Sequence, residues 1–144
     1  MKPVVQEDPT GCAIACAAAL SGTTYKEAKR VANALGIHVD DSALWSETRP
    51  MIRLLTRLGF RVNGSESPFT DWDSLPDLAL LAIKWHLERG RPHWHWVVFA
   101  RETEGCYVLD PKKGLASNIR TDFGRMKPKW HLRVRTGPYA IVSR

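Results

Sequence analysis

The sequence predicts an α+β domain, with N-terminal helices packed on a C-terminal antiparallel sheet. Three observations predict it. Up to Leu58 the apolar residues recur at helical spacing in segments that end in Gly22, Gly36 and Gly59. From Phe60 onward the pattern changes to short aliphatic and aromatic runs separated by turn residues. The helical part precedes the strand part instead of alternating with it.

The elements follow in order. Val4 to Glu7 forms a short extended lead, and Pro9-Thr10-Gly11 turns the chain. Cys12 to Leu20 is rich in Ala, the best helix former, and apolar nearly all round, so it is expected to be a buried helix. Thr10 is its expected cap and Ser21-Gly22 its end. Thr23 or Thr24 caps a second helix, where Glu27 completes a capping box. Its inner stripe is Ala28, Val31, Ala32 and Leu35, and Gly36 stops it. A third helix spans about Arg49 to Leu58, with Met51, Ile52, Leu54, Leu55 and Leu58 turned inward. Phe60-Arg61-Val62 reads as a short strand and Pro68 to Leu75 as loop. Leu78 to Trp85 is an apolar run suited to a buried strand. Trp94 to Ala100 pairs with Cys106 to Leu109. Trp130 to Val134 and Tyr139 to Val142 are the last expected strands.

A chain of 144 residues fits a single domain over residues 1–144, long enough to bury roughly 70% of the surface its unfolded form exposes. Apolar residues make up 44% and charged residues 25%, which argues against disorder. No apolar run approaches the roughly 20 residues of a membrane span. The start lacks the features of a secretory signal, so a cytoplasmic location is expected. Three cysteines, an odd number, argue against a disulfide framework. In a reducing compartment they stay thiols, and the question becomes which of them reacts. The net charge of +6 favours acidic partners in general. The basic residues are scattered and no nucleic-acid signature is present, so a solvated basic surface accounts for them and no nucleic-acid partner is expected.

Cys12 stands where a turn opens the Ala-rich helix. The first N–H groups of a helix lack partners and the dipole is positive there, which favours a thiolate and can hold an oxyanion. A small buried thiol at a helix start is the structural alternative. Cys16 lies one turn deeper and reads as apolar filling. Cys106 follows the acidic turn Glu102-Thr103-Glu104-Gly105, which disfavours its thiolate.

A thiol nucleophile needs a base, and the base needs an orienting partner. His93 and His95 are the candidate bases. If Glu102 to Gly105 form a four-residue hairpin loop, Arg101 faces Cys106 and Val97 faces Asp110. His95 shares a strand side with Val97 and becomes the diagonal neighbour of Asp110, with His93 farther away. A one-residue slip would turn Asp110 to the other face. A half-buried histidine and an Asp-Pro turn are the structural alternatives for these two residues. A metal site is a further alternative, since His93 and His95 alternate onto one strand face where His86 or His131 could join them.

Gln6, five intervening residues, and Gly11-Cys12-Ala13-Ile14-Ala15-Cys16-Ala17 resemble the start of bacteriocin-processing, double-glycine leader peptidases, which are papain-like cysteine peptidases. His95-Trp96-Val97-Val98, with Asp110-Pro111 following 15 residues after the histidine, resembles their second motif. The resemblance spans roughly residues 4 to 115. It implies a papain-like fold, Cys12 as nucleophile, His95 as base and then acid, Asp110 as its orienting partner, and Gln6 as an oxyanion-hole donor. It matches Cys16 to a non-catalytic cysteine of the family. Gly11 and Ala13 depart from the family pattern, which has an acidic residue before the nucleophile and glycine after it.

The expected activity is cleavage of peptide bonds through a thioester, on a peptide or protein substrate, with no cofactor and no metal. Deamidation or acyl transfer by the same triad is an alternative within enzymes. A papain-like shell that binds peptide without turnover is the alternative from another class. Substrate sequence and oligomeric state are left open.

Overall fold

The computed structural model describes residues 1–62 and 64–137. The order of elements is α1 (Cys12–Ser21), α2 (Tyr25–Ala34), α3 (Ala43–Ser46), α4 (Arg49–Arg57), β1 (Phe60–Val62), β2 (Ser67–Pro68), β3 (Leu78–Glu88), β4 (Arg91–Glu102), β5 (Gly105–Leu109), β6 (Ile119–Arg120), α5 (Phe123–Met126) and β7 (Trp130–Thr136). This is a mixed helix and antiparallel-sheet architecture. The expected strand at Tyr139 to Val142 lies outside the described residues.

α1 is buried from Cys12 to Leu20, as an apolar helix must be. Gly22 closes it in the left-handed conformation at φ 70°, where glycine has no Cβ to clash. Thr10 does not cap it. Gly11 occupies the cap position with no side-chain cap bond, and the Thr10 hydroxyl donates to the Val39 carbonyl instead. Thr24 caps α2 by accepting from the Glu27 N–H at 3.1 Å. The reciprocal half of the capping box is missing, because the Glu27 carboxylate pairs with Arg30.

The sheet order is β1-β7-β3-β4-β5-β6, with β2 also on β7, and every pairing is antiparallel. Alternation along the strands splits the core in two. Leu80, Ala82, Trp94, Trp96 and Val98 pack with the helices. Ala79, Leu81, Ile83, Val97, Phe99 and Val108 face away and are covered by Leu75, Met126, Phe69, Trp72 and Phe123. The loop after β2 and the short α5 thus close the second face. Both faces of the central strands are buried, which explains why β3 reads as a continuous apolar run rather than an alternating one.

α1 meets the sheet at a particular place. β5 pairs with β4 only from Val98↔Leu109 to Glu102↔Gly105. Beyond Leu109 come Asp110 and Pro111, and proline has no N–H to continue a ladder. The peptide groups of Trp96 are therefore left without a strand on the β5 side. Two sulfurs take that place. The Trp96 N–H donates to Cys12 Sγ at 3.5 Å, and Cys16 Sγ donates to the Trp96 carbonyl at 3.4 Å.

The turn before α1 is clamped. The Tyr25 hydroxyl and Lys29 Nζ both donate to Asp8 Oδ2, the lysine at 2.9 Å. A Cβ on Gly11 would sit 2.0 Å from Tyr25 Oη, so no side chain fits there. Gly11→Ala is expected to cost about 1–3 kcal/mol as an overpacked site, measured as a lowered Tm in thermal unfolding. A variant as stable as the parent would contradict this packing.

Candidate active site

The structure brings His95 against Asp110 and sets Cys12 on the same cleft as His95. The β4–β5 register is the one expected from a four-residue loop, with Arg101 opposite Cys106. It carries Asp110 beside His95, and His95 Nε2 lies 2.7 Å from Asp110 Oδ1. An ionised carboxylate only accepts, so Nε2 carries the hydrogen. That leaves Nδ1 as the ring's other nitrogen, and Cys12 lines the same cleft as the ring. Cys12 is 5% exposed, and the His95 and Asp110 side chains are 15% and 0% exposed.

Asp110 is held more firmly than the sequence indicates. Its second oxygen accepts from Arg120 Nη1 at 2.9 Å, and its first also accepts from the Lys112 N–H at 3.0 Å. Its backbone is fastened by Asn118, whose carbonyl accepts from the Asp110 N–H and whose Nδ2 donates to the Asp110 carbonyl, both at 2.8 Å. Arg120 is itself fixed by a two-pronged pair with Asp122 at 2.9 and 2.7 Å. Sequence reasoning missed Arg120 and Asn118. They lie on and beside β6, a two-residue strand with no hydrophobic period to find.

The electrostatics follow from these contacts. Burial opposes charge on His95, but the hydrogen bonds to Asp110 and Cys12 and their negative charge outweigh it and raise the imidazole to about 9. Burial would raise Asp110, but His95, the Lys112 N–H and Arg120 hold it down at about 2. Cys16, fully buried and close to Cys12 and Asp110, is pushed well above the ordinary thiol range. The thiol inside the sheet gap is thereby kept neutral.

Gln6 is placed differently from an oxyanion donor. It is buried, and both amide hydrogens go to carbonyls of the turn, Asp8 at 3.1 Å and Pro9 at 2.9 Å. Its backbone N–H donates to the Pro111 carbonyl at 2.9 Å. Gln6 therefore ties the turn before Cys12 to the turn after Asp110. Free donors lie instead at the start of α1, where the first helix bond runs from the Ala15 N–H to the Gly11 carbonyl. The N–H groups of Cys12, Ala13 and Ile14 precede it, and no side chain caps them.

A cleft of about 310 Å³ opens onto Cys12 and His95, walled by Pro9, Thr10, Trp45, Lys84 and Trp94. A larger one, about 650 Å³ between β7 and the loop before β3, holds no cysteine and lies away from these residues. His93 does not join His95. It meets His86, Glu88 and Trp45 farther along the cleft wall.

No protein-family model matches the chain, and no curated protein matches it.

The Asp110 geometry has a consequence for stability. Its folded-state value lies below its unfolded value, so its contribution is complete above about pH 4 and is lost as pH falls toward 2. That loss should be on the order of 2 kcal/mol. Urea unfolding at about pH 5 and pH 2.5 should show it in the wild type and not in Asp110→Asn. Equal acid sensitivity in the two proteins would contradict the arrangement.

Proposed function

We propose that this chain is a papain-like cysteine peptidase that cleaves peptide bonds through a thioester on Cys12. The single observation that carries the reading is the line Cys12–His95–Asp110, a thiol at an uncapped helix start sharing a cleft with an imidazole that is bonded in turn to a buried carboxylate. The resemblance of the Gln6–Cys12 and His95–Asp110 segments to double-glycine leader peptidases supports the same chemistry.

In this mechanism His95 takes the Cys12 proton, and the thiolate attacks the scissile carbonyl to form a C–S bond. The Trp96 N–H donates to this sulfur and helps hold it in place. The oxyanion sits against the free N–H groups at the start of α1, where the helix dipole is positive. His95 gives its proton to the leaving amine as the C–N bond breaks. It then takes a proton from water, whose oxygen replaces sulfur on the acyl carbon. Asp110 keeps Nε2 protonated throughout and so presents Nδ1 to the reaction. Gln6 acts by holding the two turns together, and it would enter the oxyanion hole only by releasing the Asp8 and Pro9 carbonyls. The aromatic walls Trp45 and Trp94 suit an extended peptide.

Cys12→Ala should abolish the new peptide termini that the wild type generates in a mixed peptide library, a loss on the order of 1000-fold or more, with Tm retained. Undiminished cleavage by a folded Cys12→Ala variant, or no cleavage by the wild type, would overturn the proposal. On the alkaline side kcat/KM should fall as pH rises through about 9, where His95 loses the proton that the leaving amine needs. A rate that stays flat to pH 10.5 would exclude His95 as the acid.

A further inference from the structure

We propose that His86, Glu88 and His93 form a binding site for a divalent transition-metal ion of the zinc class on the wall of the Cys12 cleft. This does not depend on Cys12 being catalytic.

The site is built by an irregularity in the β3–β4 hairpin. Ile83 pairs with His95, but the next pair is His86 with His93, so β3 carries one extra residue at this point. Lys84 adopts φ 55° there, and Arg89 adopts φ 51° at the hairpin tip, positions that non-glycine residues seldom take. The bulge sets His86 across from His93, with ring centroids 5.5 Å apart. Glu88 reaches between them. His86 Nε2 lies 3.2 Å from Glu88 Oε1 and His93 Nε2 lies 3.3 Å from Glu88 Oε2. Ligand atoms of all three residues fall within 4.8 Å of one another. Around a tetrahedral zinc with bonds of roughly 2.0–2.1 Å, neighbouring ligand atoms stand about 3.3 Å apart. Each histidine already stands at that distance from one Glu88 oxygen, His86 from Oε1 and His93 from Oε2, so a rotation of the exposed carboxylate must bring a single oxygen to both.

The ring orientations agree. His86 Nδ1 lies 2.8 Å from the Lys84 carbonyl, which only accepts, so Nδ1 carries the hydrogen and Nε2 turns to Glu88. A metal-ligating histidine commonly has its second nitrogen fixed in this way. His93 Nε2 accepts from the Trp45 indole at 3.2 Å, a bond that a metal ion at that nitrogen would replace. Two imidazoles and a carboxylate thus lie close enough to share one ion. Two histidines with one carboxylate suit zinc and leave a coordination position open. All three residues line the cleft shared with Cys12 and His95.

The test is calorimetric titration of the full chain with zinc chloride, in the wild type and in Cys12→Ala, so that the thiol is not the ligand. One equivalent should bind in Cys12→Ala. His86→Ala and His93→Ala, added singly to that background, should each weaken binding at least about tenfold, with metal-free Tm unchanged. Cobalt in place of zinc should give visible bands without a sulfur charge-transfer band. Binding lost in Cys12→Ala, or retained undiminished in the His86→Ala and His93→Ala variants, would overturn the site. Because cleavage is never read, failure here leaves the peptidase proposal standing, and the reverse also holds.

Discussion

The structure turns on where β5 stops. Had β5 run two residues further, its backbone would have occupied the edge of β4 at Trp96. Asp110 and Pro111 prevent this, and the gap they leave is filled by the first turns of α1. A buried peptide group without a partner costs about 1–3 kcal/mol, so something must satisfy Trp96 on both sides. Two cysteines one turn apart do so with soft, weak hydrogen-bonding groups. The same interruption thus places a carboxylate at the end of one strand, frees an edge on its neighbour, and seats a thiol against that edge.

Charge then distinguishes the two sulfurs. Cys16 lies inside, where burial and the negative charges around it keep it a thiol. Cys12 lies at the helix mouth with a backbone donor on one side and an imidazole on the other. His95 in turn is governed by Asp110, and Asp110 by Arg120, which Asp122 anchors. Opposite charges alternate along this line, so each group lowers the cost of burying the next. Removing His95 or Arg120 takes a partner from the fully buried Asp110 carboxylate. A chain of single-function residues of this kind is costly to assemble for packing alone.

Much of this was legible in the sequence, for physical reasons that differ between elements. Glycines at positions 22, 36 and 59 mark helix ends because left-handed backbone is cheap only there. The His95–Asp110 approach was legible because a four-residue loop sets hairpin register, and register sets which side chains share a face. What was not legible depends on tertiary contact. α3, α5 and β6 are each four residues or fewer, too short to hold themselves together. Thr10 looked like a cap but found the Val39 carbonyl. Gln6 has the right spacing before Cys12, yet its amide is drawn to the carbonyls of the turn it sits under. The bulge that joins His86 to His93 has no local signature, and only the paired strands reveal it.

The central claim is that Cys12, His95 and Asp110 behave as one coupled electrostatic unit. Nitrogen NMR of the His95 ring, followed from pH 5 to pH 11 in the wild type and in Cys12→Ser, tests it most directly. The account predicts a ring that keeps its second proton through neutrality and loses it near 9 in the wild type, with an earlier loss in the serine variant, where the neighbouring sulfur is gone. A wild-type ring that titrates near 6.5, unmoved by the substitution, would contradict it.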